Sequence, residues 1–239
     1  MPTIEETLRR LATTFTARDI MIPEAGLACA GDEKEAARVS KDNPDFSVIP
    51  IRENTKLVRY FLRDSRTSQQ IMLHDLISDG TSLLDLVEIL EDREFSFVLS
   101  HREIAGFVHF SDLNHPLVKL AFYVILEALE RQALSPISHN GGHEYLAKHL
   151  DPSRFKQIER QYKRDRDAAR SLFNYLNIAD ILRLATKART IRLDDNVIKA
   201  IKDVRDRASH AKENMVDDYA CVKRLATVKR ECLRILGGT

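Results

Sequence analysis

The sequence lacks the features that would carry it into or across a membrane. No run of about 18 apolar residues occurs in the chain, so a spanning helix is not expected. The opening MPTIEETLRR has no basic segment followed by an apolar one, which argues against a secretory signal and makes the cytoplasm the expected location. Cysteine is scarce. Cys29, Cys221 and Cys232 stand in no CxxC spacing and form an odd set, which excludes a disulfide framework and a compact zinc knuckle and leaves three buried thiols as the expectation. Walker, GxGxxG and GxSxG strings are also missing, so phosphoryl-transfer NTPases, Rossmann enzymes and serine hydrolases have no support. His143-Glu144 followed by His149 misses the HExxH zinc spacing and reads as a polar helix edge, and no metal is expected.

What is present is a chain of 239 residues with 44% apolar content, enough to build the cores of one large domain or two modest ones. Its net charge of +1 conceals a division. Residues 1–114 carry 13 Lys and Arg against 20 Asp and Glu, a net of −7, whereas residues 115–239 carry 24 against 16, a net of +8. A basic half suits a polyanionic partner such as RNA, because attraction to phosphate supplies most sequence-independent affinity.

Along the first 114 residues, helix and strand signals alternate. An amphipathic helix is expected from about Ile4 to Ala17, and extended apolar runs follow at 46–51 (FSVIPI), 57–62 (LVRYFL), 95–99 (FSFVL) and 104–110 (IAGFVHF). Helical segments lie near 33–40 and at 82–92, where Leu83, Leu84, Leu86, Val87 and Leu90 form one apolar stripe that Thr81 or Ser82 can cap. These elements come round twice. ARDIMIP, a helix, FSVIPI and KLVRYFLRDS are echoed about 50 residues later by LHDLISD, a helix, FSFVLS and EIAGFVHFSD, with Phe46-Ser47-Val48 matching Phe95-Ser96-Phe97 in phase. Each copy is too small to bury its own faces, so the two are expected to pack together.

The second copy resembles a CBS domain, the β-α-β-β-α motif that pairs into a Bateman module. The resemblance rests on Asp79-Gly80-Thr81-Ser82 opening a helix and on Gly106-Phe107-Val108-His109-Phe110-Ser111-Asp112-Leu113, which is similar to the family's G-I-V-T-x-x-D-L segment. It implies an adenine nucleotide as regulatory ligand, with Asp112 at the ribose and His109, Ser111 and Thr81 completing the site. His109 stands where the family has Thr. In the first copy Arg59 stands near the expected Gly, and Asp64 is one residue out of register. Asp112 equally suits a cap on the helix beginning near Pro116 or on the turn before it.

From Pro116 onward strand signals almost vanish. LVKLAFYVILEALERQAL continues a helix begun at Pro116, a loop is expected at 135–143 (SPISHNGGH), and Asp151-Pro152 opens a long charged helix. Helices near 178–188, from Asp194 to Ala208 and from Asp217 to Leu236 complete a five-helix bundle ended by Gly237-Gly238. The fold class expected is therefore α+β, with a tandem α/β pair over 1–114 and an all-α bundle over 115–239. The link at Asn114-His115-Pro116 is short enough to expect that they pack together.

Within the bundle, Ile201-Lys202-Asp203-Val204-Arg205-Asp206-Arg207-Ala208-Ser209-His210 resembles the signature of the HEPN superfamily: Arg, then Asn, Asp or His, then three to five residues, then His. The resemblance implies a metal-independent endoribonuclease needing no catalytic cofactor, with Arg205, Asp206 and His210 as catalytic residues and Arg207, Lys202 and Lys212 contacting RNA. It also implies a homodimer through the helical half, and a prokaryotic toxin or stress effector with an antitoxin as candidate partner. The residue types suit the chemistry. Imidazole can take the proton of an attacking 2′-hydroxyl or return one to the leaving oxygen, and a guanidinium fork matches two phosphoryl oxygens. Five residues at about 100° each leave Arg205 and His210 roughly 140° apart on an unbroken helix. Either the helix ends near Ala208-Ser209 and His210 swings back, or a second chain supplies partners.

Two assignments remain weaker. The series Arg154, Lys156, Arg160, Lys163, Arg164, Arg166 and Arg170 is interleaved with Glu159, Asp165 and Asp167 and reads as a solvated face ahead of an RNA track. The alternative for the whole chain is a regulatory binding protein without catalysis, its first half sensing a nucleotide and its helical half docking a partner.

Overall fold

The computed structural model describes residues 6, 10, 13–140, 143–165 and 171–237, and the chain is mixed α/β with eight helices and two small sheets among them. It divides into two compact units, Phe15–His115 and one that takes in Pro116 onward together with the described residues ahead of Phe15. The opening amphipathic helix falls mostly outside the described residues; Glu6 and Arg10 are helical, and Ala17–Asp19 is a 3-10 turn.

In the first unit the strands are β1 (Ile22–Pro23), β2 (Val48–Glu53), β3 (Lys56–Leu62), β4 (Thr67–Gln70), β5 (Leu76–Ser78), β6 (Phe95–Ser100) and β7 (Glu103–His109). The helices are α1 (Glu33–Asp42) and α2 (Leu83–Ile89). Asp32 and Ser82 cap them by accepting the amide protons of Glu35 and Asp85, satisfying donors that a helix start leaves free. The repeat is real and its period is 47. Val48 pairs with Leu62 in the first hairpin and Phe95 with His109 in the second, and both hairpins carry a bulge at the same place, after Ile51 and after Val98. The parallel bridge of Ala30 to Ile51 is likewise matched by Ile77 to Val98.

This register corrects the sequence reading. Val48, not Phe46, is the counterpart of Phe95, a slip of two residues that leaves the in–out alternation unchanged and so escapes a phase argument. ARDIMIP is not the counterpart of β5. Ala30 holds that place, while β1 pairs with β7 across the repeats, Pro23 to Gly106. Its equivalent β4 pairs with β3, Gln70 to Arg59, so each repeat is preceded by a strand at the edge of a hairpin. Sheet orders β1-β7-β6-β5 and β2-β3-β4 follow. Between the hairpins lies a cluster of Val48, Tyr60, Phe97 and Phe107, with Phe95 stacked on Phe107 at 5.6 Å.

The second unit holds α3 (Pro116–Asn140), α4 (His143–His149), α5 (Pro152–Asp165), α6 (Ile178–Lys187), α7 (Asp195–Ser209) and α8 (Ala220–Ile235). The loop expected at 135–143 is instead helix as far as Asn140, even though Pro136 removes a hydrogen bond, because Ala133 and Ile137 are buried on the core side of α3. A sixth helix, α4, was not foreseen. Phe122, Ile125, Leu126 and Leu129 of α3 are fully buried and pack where α6, α7 and α8 meet it. No described helix is long and apolar enough to cross a membrane. Of the three thiols only Cys232 is buried. Cys29, in the turn before Ala30, and Cys221, in the first turn of α8, are half-exposed, which corrects the expectation for both.

Candidate functional site

Three of the four expected ligand residues of the first unit, His109, Ser111 and Asp112, gather where β7 ends. The chain leaves β7 at His109 into a 3-10 turn, Phe110–Asn114, and the Asp112 carboxylate accepts the His109 amide proton at 2.8 Å. Asp112 thus caps the turn. Burial pushes its carboxyl above the usual range, opposed by that amide and by the nearby His115. His109 Nδ1 accepts the Ser111 amide at 3.3 Å and lies 2.9 Å from the Ser111 hydroxyl. That leaves Nε2 as the protonated nitrogen of the neutral ring, donating to Ser47 Oγ at 3.4 Å. Burial lowers the His109 pKa, which favours this neutral form.

Above these groups opens a slot of about 240 Å³ lined by Ile22, Phe46, Val48 and Phe107 on its apolar sides and by Asp45, Ser47, His109, Ser111 and Asp112 on its polar side. Ile22 and Phe46 are 39% and 41% exposed, unusual for large apolar side chains, and both stand at this opening. Ile22 reaches it because Gly106 lets β1 approach: a Cβ at 106 would lie 2.6 Å from the Ile22 carbonyl oxygen. Thr81 does not line the slot. It sits at the start of α2, where its amide donates to Ser78 and its carbonyl accepts from Ala17. Phe46, Ser47 and Ile22 escaped the sequence reading because they belong to the other repeat or to the strand before it.

In the second unit, α7 ends at Ser209, and His210 follows in extended conformation with an exposed side chain. The helix therefore stops before His210, the first half of the first alternative. Lys119, only 9% exposed, donates to the carbonyls of His210, Ala211 and Glu213 and holds the turn in place. Arg205 bonds the Ser209 hydroxyl and lies over the Tyr123 ring at 5.4 Å. Its charge also opposes the burial that raises the Glu130 pKa. Asp206 is paired with Lys202 at 2.5 Å. Arg207 is engaged three ways, with Asp217, Asp203 and the Asn214 carbonyl, which leaves little for RNA; the Asp217 hydrogen bond, with Asp203, raises its pKa. Lys212 is exposed on the turn after His210. Both residues stand at the C-terminal end of α7, and among the described residues no hydrogen bond joins the Arg205 and His210 side chains.

The other sequence candidates resolve as framework. His143 pairs with Glu159 at 3.3 Å and His149 packs on Tyr145, and among the described residues no cluster is arranged to hold a metal. In the charged series, Arg154 is tied to Asp180, Lys163 to Glu159, and Lys156, Arg160 and Arg164 are solvated, while Arg166, Asp167 and Arg170 lie outside the described residues.

No family model matches the chain, and no curated protein matches it. Among solved structures it is similar to CBS domains. One is the CBS domain of the bacterial CNNM/CorC family Mg2+ transporter in complex with ATP, at 11% identity over 49% of this chain and 94% of that one, TM-score 0.38. Another is a hemolysin-like protein containing a CBS domain from Oenococcus oeni PSU, at 11% identity over 45% and 93%, TM-score 0.36. A TM-score below 0.5 does not establish a shared fold, and the pairing of the two halves of the first unit stands on their common register.

Proposed function

We propose that the chain is a nucleotide-sensing regulatory protein whose first unit binds an adenine nucleotide in the slot beside Asp112. The slot carries this reading: apolar walls at Ile22, Phe46 and Phe107 suit the faces of a flat base, and a carboxylate at the polar end suits a pair of ribose hydroxyls. Calorimetry against AMP, ADP, ATP and GTP tests it. Phe46→Ala removes an exposed wall without touching the core and should weaken binding roughly tenfold, within the ~1–3 kcal/mol that base stacking on an aromatic is worth. Asp112→Asn keeps an acceptor for the cap and loses the charge, so binding should fall while the melting temperature holds. Absence of binding by every nucleotide would reduce the first unit to a framework.

For the second unit the reading is metal-independent RNA cleavage by His210 with Arg205, in a homodimer. It is supported by an exposed histidine whose backbone is held at a helix end and by the exposed Leu120 and Tyr123 of α3, the latter beside Arg205. RNA incubated with the protein in chelator should be cut, and His210→Ala should abolish the cutting. Sedimentation should show a dimer that Tyr123→Glu disrupts. Intact RNA with a dimeric wild type would leave the helical unit as the docking half of a non-catalytic sensor.

A further inference from the structure

The end of the helical unit opposite His210 carries a second concentration of charge. Three concave surfaces lie along α6 and at its C-terminal end. One of about 560 Å³ is lined by Arg154, Arg183 and Lys187, and two of about 630 and 610 Å³ share Arg189 and Arg192, with Arg234 on the latter. The carboxylates nearby are already committed. Asp180 holds Arg154 at 2.7 Å and the Asn177 amide at 3.1 Å, Asp195 holds Arg183 and Lys199, and Glu231 holds Arg234. Asp151 and Asp194 cap the amides that open α5 and α7. By contrast, no hydrogen bond or ion pair among the described residues engages the guanidinium of Arg189 or Arg192.

The backbone fixes this presentation. Arg189 takes φ of 59°, the left-handed region where glycine is usual at a helix end, with its amide bonded to Thr186 and the next amide to Ala185. The reversal carries Arg189 to Arg192 past the end of α6, and Arg234 then clamps the segment by donating to the Arg192 carbonyl at 2.8 Å. Two exposed guanidinium groups are therefore held on an ordered loop between open grooves.

We infer that this cationic collar binds the phosphodiester backbone of a nucleic acid strand. Guanidinium forks match phosphoryl oxygens, and open adjoining grooves suit a chain that runs past better than a small anion that needs enclosure. The net charge of +8 over residues 115–239 supplies long-range attraction. Collar and His210 are separated by the length of α7, 15 residues or roughly 21 Å of helical rise, so the collar is a distinct site.

The test is fluorescence anisotropy with a labelled single-stranded DNA oligonucleotide and its RNA equivalent, titrated at several salt concentrations. DNA has no 2′-hydroxyl, so binding is read whether or not the chain cleaves RNA, and failure of either reading is seen separately. Each phosphate contact contributes about 0.7 to the slope of log K against log salt for single strands, so Arg189→Gln with Arg192→Gln should flatten the slope by roughly 1.4 and weaken binding. Arg192→Gln alone should give about half of that flattening. Lys223→Gln, the same loss of one charge as Arg192→Gln alone but on the exposed surface of α8, should leave the slope unchanged. An unchanged slope in the double variant would overturn the inference, as would a flattening in Lys223→Gln equal to that in Arg192→Gln. Competition by inorganic phosphate beyond its ionic strength would overturn it in favour of a free-anion site.

Discussion

Replacing Lys119 by Met is the sharpest probe of how the helical unit holds the turn that carries His210. The methionine keeps most of the buried stem and removes the ammonium, which donates to three carbonyls of residues 210, 211 and 213. Hydrogen bonds to a charged group are worth about 1.5–3 kcal/mol each, so simple addition would give more than 4 kcal/mol. Two effects reduce that sum. The carbonyls belong to exposed residues that water can reach once the ammonium has gone, and removing the ammonium also removes the cost of burying it. The net loss should be about 2–4 kcal/mol, a fall in melting temperature of roughly 6–12 °C for a chain of this length. The assay is thermal denaturation by circular dichroism with amide exchange on the same sample. The Glu213 amide, bonded to the His210 carbonyl at 3.3 Å, should exchange faster, while amides within α6 should be slowed or hastened only in step with global stability. A melting temperature within about 2 °C of wild type, with exchange at 213 unchanged, would refute the argument that Lys119 fixes the turn.

Three further outcomes follow from the packing and charge. Gly106→Ala forces a methyl against the Ile22 carbonyl and the Met21 sulfur, so β1 must move. A loss of about 1–3 kcal/mol in denaturant melts should accompany weaker nucleotide binding, and an unaffected melt would show that β1 has slack. Burial lowers the folded-state pKa of His109 below 6.5, so the unfolded chain binds more protons between the two values. Stability from this group is complete above pH 6.5 and is lost as pH falls through the folded value, and His109→Gln should flatten the stability profile in that window. Arg154→Met strands the Asp180 carboxylate, whose side chain is 8% exposed, and should cost about 2–4 kcal/mol in a urea melt, short of the full penalty for a buried pair because Arg154 itself is partly solvated. Asp180→Asn in the same background should recover part of that loss.

The parts of the fold that the sequence made legible are those with a local pattern. Both hairpins show as extended apolar runs, and the Leu83, Leu84, Leu86, Val87 stripe of α2 lies buried as its spacing required. The repeat was visible, but its register was not, since FSV and FSF invite an alignment two residues from the one that pairing and bulges enforce. β4 reads TSQQ and has no apolar signal; it is a strand because β3 offers it an edge. Helix α3 runs on past Pro136 because buried side chains outweigh a local breaker. Of the residues that line the slot, those on one turn, His109, Ser111 and Asp112, stand together in the sequence, and those contributed across the repeat carry no local signal. Lys119 is the extreme case, with partners 91 to 94 residues away and no local pattern to mark it.

The 47-residue register also says how many ligands the first unit should take. Each slot residue has a counterpart in the other repeat; Phe107 keeps an aromatic equivalent in Tyr60 and Asp45 a carboxylate in Asp92, but the polar end and the exposed walls have diverged. His109 corresponds to Leu62, Ser111 to Asp64 and Asp112 to Ser65, while Phe46 corresponds to Arg93 and Ile22 to Gln69. The counterpart position therefore offers no carboxylate at the place of Asp112, no imidazole beneath it, and a guanidinium with one buried, unpartnered nitrogen in place of an aromatic wall. A base loses the exposed walls of Phe46 and Ile22 there, and a ribose the carboxylate at the place of Asp112, since Asp64 stands one residue short of it. Titration by calorimetry should accordingly give one nucleotide per chain, and Phe46→Ala should weaken that single event and uncover no second one. Two equivalent binding events in the wild type would mean that the register relates sites by backbone alone and that the side chains named here do not select the ligand.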